Sequence, residues 1–288
     1  MKTLIRQILV NLCLSITLVS LSASADDFEV EQTLEGSAES EDNNNGGFLK
    51  LGFGRQYKDS LYDYSNEWTL FVNGRYQWHG LFIEYTNSKD LSNQGPIYGF
   101  NFYNTEQWNF DLNVRQVHHA SGILFSNENE QFFNVSRDET KMLVLRATGS
   151  FEQTSVEFSI SPYSLNDEYD DGVYASFWAD RAWQVKNWQF NAAIGLTYRS
   201  AEILNHYYGT PDGPIIEGFD YQASAGVDVT AQIGVSYPIS ENWIFESYFR
   251  YTDITDSITD SPFKQRHSQN YSLSENAFEF GILVSYVF

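Results

Sequence analysis

The chain has 288 residues and a formal charge of −21, with 38 acidic residues against 17 Lys and Arg. That balance excludes nucleic acid as a partner, because phosphate binding needs clustered Lys and Arg. The lone cysteine excludes a disulfide framework. Beyond the first 25 residues, no window approaches the roughly 18 consecutive apolar residues of a spanning helix, which excludes a helical membrane protein.

Residues 1–25 read as a secretory signal peptide. Lys2 and Arg6 form a basic start, Ile8 to Leu21 an apolar stretch, and Ala23-Ser24-Ala25 a small-x-small cleavage site before Asp26. The apolar stretch is interrupted by Asn11, Ser15, Thr17 and Ser20 and is too short for an anchor. Cys13 lies inside it rather than after a small-residue box, so a lipoprotein is not expected. Cleavage removes the cysteine and two cations, taking the charge from −21 to −23.

Residues 26–47 follow as an acidic leader on the periplasmic side. Asp26, Asp27, Glu29, Glu31, Glu35, Glu39, Glu41 and Asp42 occur without a single basic residue, before Asn43 to Asn45 and Gly46-Gly47. Such a segment has too little apolar surface to fold alone.

Residues 48–288 form one folded unit with twelve strand candidates: 48–57, 67–78, 79–88, 96–104, 106–118, 139–149, 151–162, 172–183, 187–199, 222–237, 241–252 and 277–288. The ninth sets Trp188, Phe190, Ala192, Ile194, Leu196 and Tyr198 against Gln189, Asn191, Ala193, Gly195, Thr197 and Arg199. A strand alternates faces at each residue, so one face of this segment is apolar with aromatics at both ends. Aromatic residues make up 17% of the chain while mean hydropathy is low, at −0.39. Aromatic girdles around a polar lumen give that combination.

The connections sort by parity. Those near 78–79, 104–106, 149–151, 184–187 and 238–241 are short. Those at 58–66, 89–95, 119–138, 163–171, 200–221 and 253–276 are longer. Short periplasmic turns alternating with long outer loops are the habit of outer-membrane barrels, and a soluble sandwich has no reason to sort its loops this way. The expected fold is therefore all-β, a transmembrane antiparallel up-and-down barrel of about 12 strands in the outer membrane of a Gram-negative bacterium. Its termini are periplasmic and its long loops extracellular.

The last strand carries the plainest pattern. Phe278, Phe280, Ile282, Val284, Tyr286 and Phe288 share one face, and Ala277, Glu279, Gly281, Leu283, Ser285 and Val287 the other. Phe280, Ile282, Val284, Tyr286 and Phe288 resemble the terminal signal read by the outer-membrane assembly machinery. The expected surroundings are outer-membrane lipid and lipopolysaccharide.

Residues with possible chemistry are few. His119-Ala120-Ser121-Gly122 is similar to the His-x-Ser pair of the outer-membrane phospholipase, with Asn127, Asn129 or Asn134 as a third member. The surrounding motif of that enzyme is absent, and no catalytic residue is assigned. Asn166 to Gly172 is acidic, but Tyr169 stands at a ligand position of a calcium loop and Trp178 where its final Glu belongs. Asp253, Asp256 and Asp260 have no ligand spacing either, so no metal or cofactor is expected. Arg75, Arg115, Arg199, Asp228, Glu246 and Arg250, with Glu84, Asp111, Glu157 and Glu279, fall at inward positions. They would either pair across the lumen or line a narrow solute path.

From residue 150 onward the chain resembles the MipA/OmpV family of MltA-interacting outer-membrane proteins. The resemblance rests on His206-Tyr207-Tyr208-Gly209, Ala223 to Gly226, Tyr237 to Trp243, Tyr248 to Tyr251, Asp260-Ser261-Pro262 and Phe280 to Phe288. Ser161-Pro162 followed by Gly172 also fits. It implies a non-enzymatic barrel that joins a lytic transglycosylase to a penicillin-binding protein, or a surface antigen or adhesin. A passive small-solute channel is the alternative, and a surface lipid hydrolase a third.

Overall fold

The computed structural model describes residues 45–60, 64–86, 95–118, 121–126, 132–137, 139–165, 171–210, 220–261 and 276–288. The expected signal peptide, with Ala23 and Ala25, and nearly all of the acidic leader lie outside the described residues.

Among the described residues there are fourteen strands: β1 (Asn45–Asp59), β2 (Tyr64–Trp78), β3 (Leu81–Tyr85), β4 (Ile97–Asn104), β5 (Trp108–His118), β6 (Ser121–Ser126), β7 (Phe132–Arg137), β8 (Thr140–Phe151), β9 (Thr154–Ser161), β10 (Tyr174–Val185), β11 (Trp188–Arg199), β12 (Gly226–Pro238), β13 (Trp243–Asp253) and β14 (Asn276–Val287). Among the described residues two helices lie in the connections, α1 (Ala201–Tyr208) and α2 (Asp256–Thr259). Twelve of the strands close an antiparallel barrel in chain order, and β6 pairs only with β7 as a separate hairpin. The barrel closes where β1 meets β14, from Lys50 opposite Val287 to Asp59 opposite Phe278.

The barrel strands start and end within four residues of their expected positions. Two differences matter. β1 begins at Asn45, so Asn45, Gly46 and Gly47 belong to the barrel and not to the leader. Pairing with β2 as far as Trp78 supplies their backbone bonds, which their composition does not advertise. The second is the β6–β7 hairpin, inside the segment read as the loop 119–138.

The short connections all lie at one end. The tightest is His79-Gly80, with φ of 48° and 84°. Positive φ at both central residues matches the twist of a two-residue hairpin, and glycine takes the second position without strain. Five of the seven tryptophans ring this end: Trp78, Trp108, Trp183, Trp188 and Trp243. Trp188 packs against Tyr237 at 4.8 Å and Trp243 against Tyr286 at 5.1 Å, forming the periplasmic girdle.

Three inward aromatic rings each lie over a glycine directly opposite on the next strand. Phe82 faces Gly99, Trp178 faces Gly195 and Tyr248 faces Gly281. A Cβ at Gly195 would come within 2.6 Å of the Trp178 ring. Glycine thus lets a large ring lie against the barrel wall.

Candidate functional site

The inner face of the barrel is built from ion pairs. The densest group joins β2, β3, β5 and β8. Arg146 is buried and donates through Nε and Nη2 to Asp111 Oδ2, at 3.0 and 2.7 Å. Its Nη1 and Nη2 reach Glu84 at 3.1 and 2.8 Å. Arg75 approaches the same two carboxylates at 3.3 Å and lies over the Phe82 ring. Asn101 donates to Asp111 at 3.0 Å. Two guanidiniums therefore hold two carboxylates, the condition under which buried charge is tolerated.

Smaller pairs continue around the wall. Arg250 meets Glu279 at 3.2 Å, and Glu279 also accepts from Tyr248 at 2.6 Å and from Gln56 at 2.8 Å. Arg115 meets Glu157 at 3.5 Å, Arg199 meets Asp228 at 2.5 Å and Lys50 meets Glu246 at 2.6 Å. All ten charges read as inward from the sequence take part in these ion pairs. Lys50 and Arg146 were missed, although their period-2 positions on β1 and β8 carried the signal.

Above this lattice, at the extracellular end, sits an apolar plug. Ile203, Leu204, Tyr207 and Tyr208 of α1 pack with Ile254, Ile258, Ala223, Val117, Met142, Val144, Tyr174 and Ala277. Ile203, Leu204, Ile258 and Met142 have no accessible surface. Hydrogen bonds pin the plug to the wall. Thr140 and Tyr207 share one between their hydroxyls at 2.5 Å, and the Tyr208 hydroxyl lies 3.2 Å from His118 Nε2. Ser261 donates to the Tyr208 carbonyl and Tyr221 to the Ser257 carbonyl, both at 2.8 Å. Asp228, already holding Arg199, accepts from the Thr255 amide at 2.9 Å, so lattice and plug share a residue.

Two residues of the segments that form the plug have shifted proton affinity, one of them, Glu202, on the exposed face of α1. Burial, then Asp260 and Asp256, push the Tyr221 hydroxyl up. A hydrogen bond with the Ser200 side chain, then a backbone bond, holds the Glu202 carboxyl low.

Burial of inward residues changes along β11 and β12. On β12, Asp228 and Thr230 are buried, whereas Gln232, Gly234 and Ser236 are partly accessible. On β11, Thr197 and Arg199 are buried, while Gln189, Asn191 and Ala193 are not. Along these two strands the inward face is therefore buried toward the extracellular end and accessible toward the periplasmic end.

The other sequence candidates fall as follows. Phe280, Ile282, Val284 and Phe288 are exposed on the outer face of the closing strand. Residues 119–120, 127–131 and 166–170 lie outside the described residues, as do the side chains of Ser121 and Asn134. The His-x-Ser pair and the acidic loop therefore fall outside what the structure describes. Among the described residues no cluster of His, Cys, Asp or Glu is arranged to hold a metal.

The family model for MltA-interacting protein MipA matches residues 51–288. The chain belongs to the MipA family. Family membership thus extends well into the N-terminal half, beyond the region where the sequence resemblance was read. Together with the closed barrel, its apolar outer face and its aromatic girdle, it makes this MipA family member an outer-membrane barrel protein of a Gram-negative cell.

No curated protein matches it in sequence. Among solved structures it is similar to OmpT of Vibrio cholerae, 9% identical, covering 85% of this chain and 97% of that one at a TM-score of 0.42. An anion-selective porin from Comamonas acidovorans is 7% identical, with coverage of 85% and 99% and a TM-score of 0.39. The outer membrane channel DcaP of Acinetobacter baumannii is 10% identical, with coverage of 85% and 96% and a TM-score of 0.38. Five of the residues behind the family resemblance converge in space: Tyr207, Tyr208, Ala223, Ser224 and Ser261 meet in the plug.

Proposed function

We propose that this MipA family member is a non-enzymatic outer-membrane scaffold that holds a lytic transglycosylase near a penicillin-binding protein, coupling murein cutting to murein synthesis. The observation that carries the reading is the match of residues 51–288 to a family described as MltA-interacting. The plug and ion-paired lumen support it, since a barrel filled in this way serves as a rigid membrane anchor. The periplasmic turns are short, whereas a specific interface buries over about 1,000 Å². The acidic leader therefore shares in capture, with the periplasmic rim as its second surface. The closing strand, with Phe280, Ile282, Val284, Tyr286 and Phe288, is read by the assembly machinery.

The experiment is a crosslinked pull-down of the tagged barrel from native membranes, with and without residues 26–44. Enrichment of a lytic transglycosylase or a penicillin-binding protein, weakened by the deletion, is expected. Recovery of neither enzyme would overturn the scaffold reading, and unchanged capture would remove the leader from it.

A second reading, a small-solute channel, is favoured by the partly accessible Gln189, Asn191, Gln232 and Ser236 in the periplasmic half. Conduction would require the plug to move.

A further inference from the structure

Arg55 points the wrong way for a barrel interior. On β1, Gly52, Gly54 and Lys58 are buried inward, while Phe53, Arg55 and Tyr57 are exposed. Arg55 lies directly opposite Ile282 on β14 and Trp68 on β2, both exposed on the same outer face. The face presented to lipid therefore carries a guanidinium. A charged side chain facing lipid is costly unless its charge is met, which makes such a residue a functional candidate.

Its surroundings locate it in the extracellular half. Phe53, on its periplasmic side, stacks at 5.3 Å on Trp68. On the extracellular side Tyr57 and Tyr64 meet edge to face at 5.9 Å, as aromatics do at headgroup level. Arg55 Nε donates to Asn66 Oδ1 at 2.9 Å, which draws the guanidinium toward that level. Asn66 is neutral, and among the described residues no carboxylate pairs with Arg55. Asp59 is four residues further along β1, about 13 Å at strand rise, beyond hydrogen-bond reach. Among the described residues the two Nη groups meet no carboxylate, which leaves a planar fork of donors that fits phosphate oxygens two at a time.

We infer that Arg55, oriented by Asn66 and flanked by Trp68, Tyr57 and Tyr64, binds a headgroup phosphate of an outer-leaflet glycolipid. The site fixes one lipopolysaccharide molecule to the seam where β1 closes on β14. Arg181 serves as an internal comparison. It too faces outward, opposite Ala192 and Thr154, but lies two residues from the periplasmic-girdle Trp183. The outer-leaflet glycolipid does not reach it.

The test is native mass spectrometry of the full chain in neutral detergent, titrated with short-chain lipopolysaccharide. R55Q should bind on the order of tenfold more weakly, the scale of lost hydrogen bonds to a charged group. R55K keeps charge without the fork and should fall between, and it carries the test if R55Q fails to fold. R181Q should match the wild type. Dephosphorylated lipopolysaccharide should bind the wild type no better than the intact lipid binds R55Q. Equal binding by R55Q, or by the dephosphorylated lipid, would overturn the proposal. Displacement of the lipid by millimolar inorganic phosphate would also overturn it, assigning Arg55 to free anions instead.

Discussion

Replacing Arg146 by Met should be among the most damaging single changes in the barrel wall. The substitution removes four hydrogen bonds to Asp111 and Glu84, between 2.7 and 3.1 Å. It leaves two carboxylates facing one guanidinium, Arg75, whose contacts with them are longer, at 3.3 Å. Stranding a buried charge costs about 3–5 kcal/mol. Asp111→Ala is milder, about 2–3 kcal/mol, because Glu84 still holds Arg146. The double variant R146M/D111A restores the balance, with Arg75 opposite Glu84. Its loss of stability should therefore fall short of the sum of the singles by roughly 1–3 kcal/mol. Urea unfolding in lipid vesicles, followed by tryptophan fluorescence, measures all three. A cost below about 0.5 kcal/mol for R146M, or strict additivity in the double variant, would refute the view of this cluster as one coupled unit.

Two further outcomes follow from the plug and the wall. The wild-type barrel should be electrically silent in planar bilayers, while Ile203→Asp combined with Ile258→Asp should produce steady conductance by placing unpartnered carboxylates in the plug. A conducting wild type would contradict a sealed mouth. Gly195→Leu should block folding, because its side chain claims the space of the Trp178 ring, and adding Trp178→Ala should recover much of the folded, heat-modifiable band. Wild-type yield from Gly195→Leu alone would show that the ring has another place to lie.

The barrel was legible because its signals are local and repeated. Alternation on β11, β12 and β14 separates lipid from lumen residue by residue, and loop parity supplies the count. The inward charges were legible for the same reason, since facing follows from period 2 alone. Their partners were not. Arg146 meets Glu84 across 62 positions of chain, and only the strand register brings them together. The β6–β7 hairpin was missed although Ile123, Phe125, Phe133 and Val135 recur at period 2, because the strands are short and stand apart from the barrel. The plug was missed differently. Ile203, Leu204, Tyr207 and Tyr208 repeat at helical spacing, so a helix could have been read, but nothing local announces that it turns inward onto Met142 and Val117.

Outer loops of a surface protein are usually where sequence drifts, insertions are tolerated and immune recognition is evaded. Residues 201–208 and 254–261 have given up that freedom. Each carries side chains as deeply enclosed as the centre of a soluble domain, so a substitution there unseats its neighbours as well as altering a surface. Lineages of this barrel should accordingly diversify elsewhere, and a foreign epitope grafted into either stretch would be displayed only by breaking the seal that holds it.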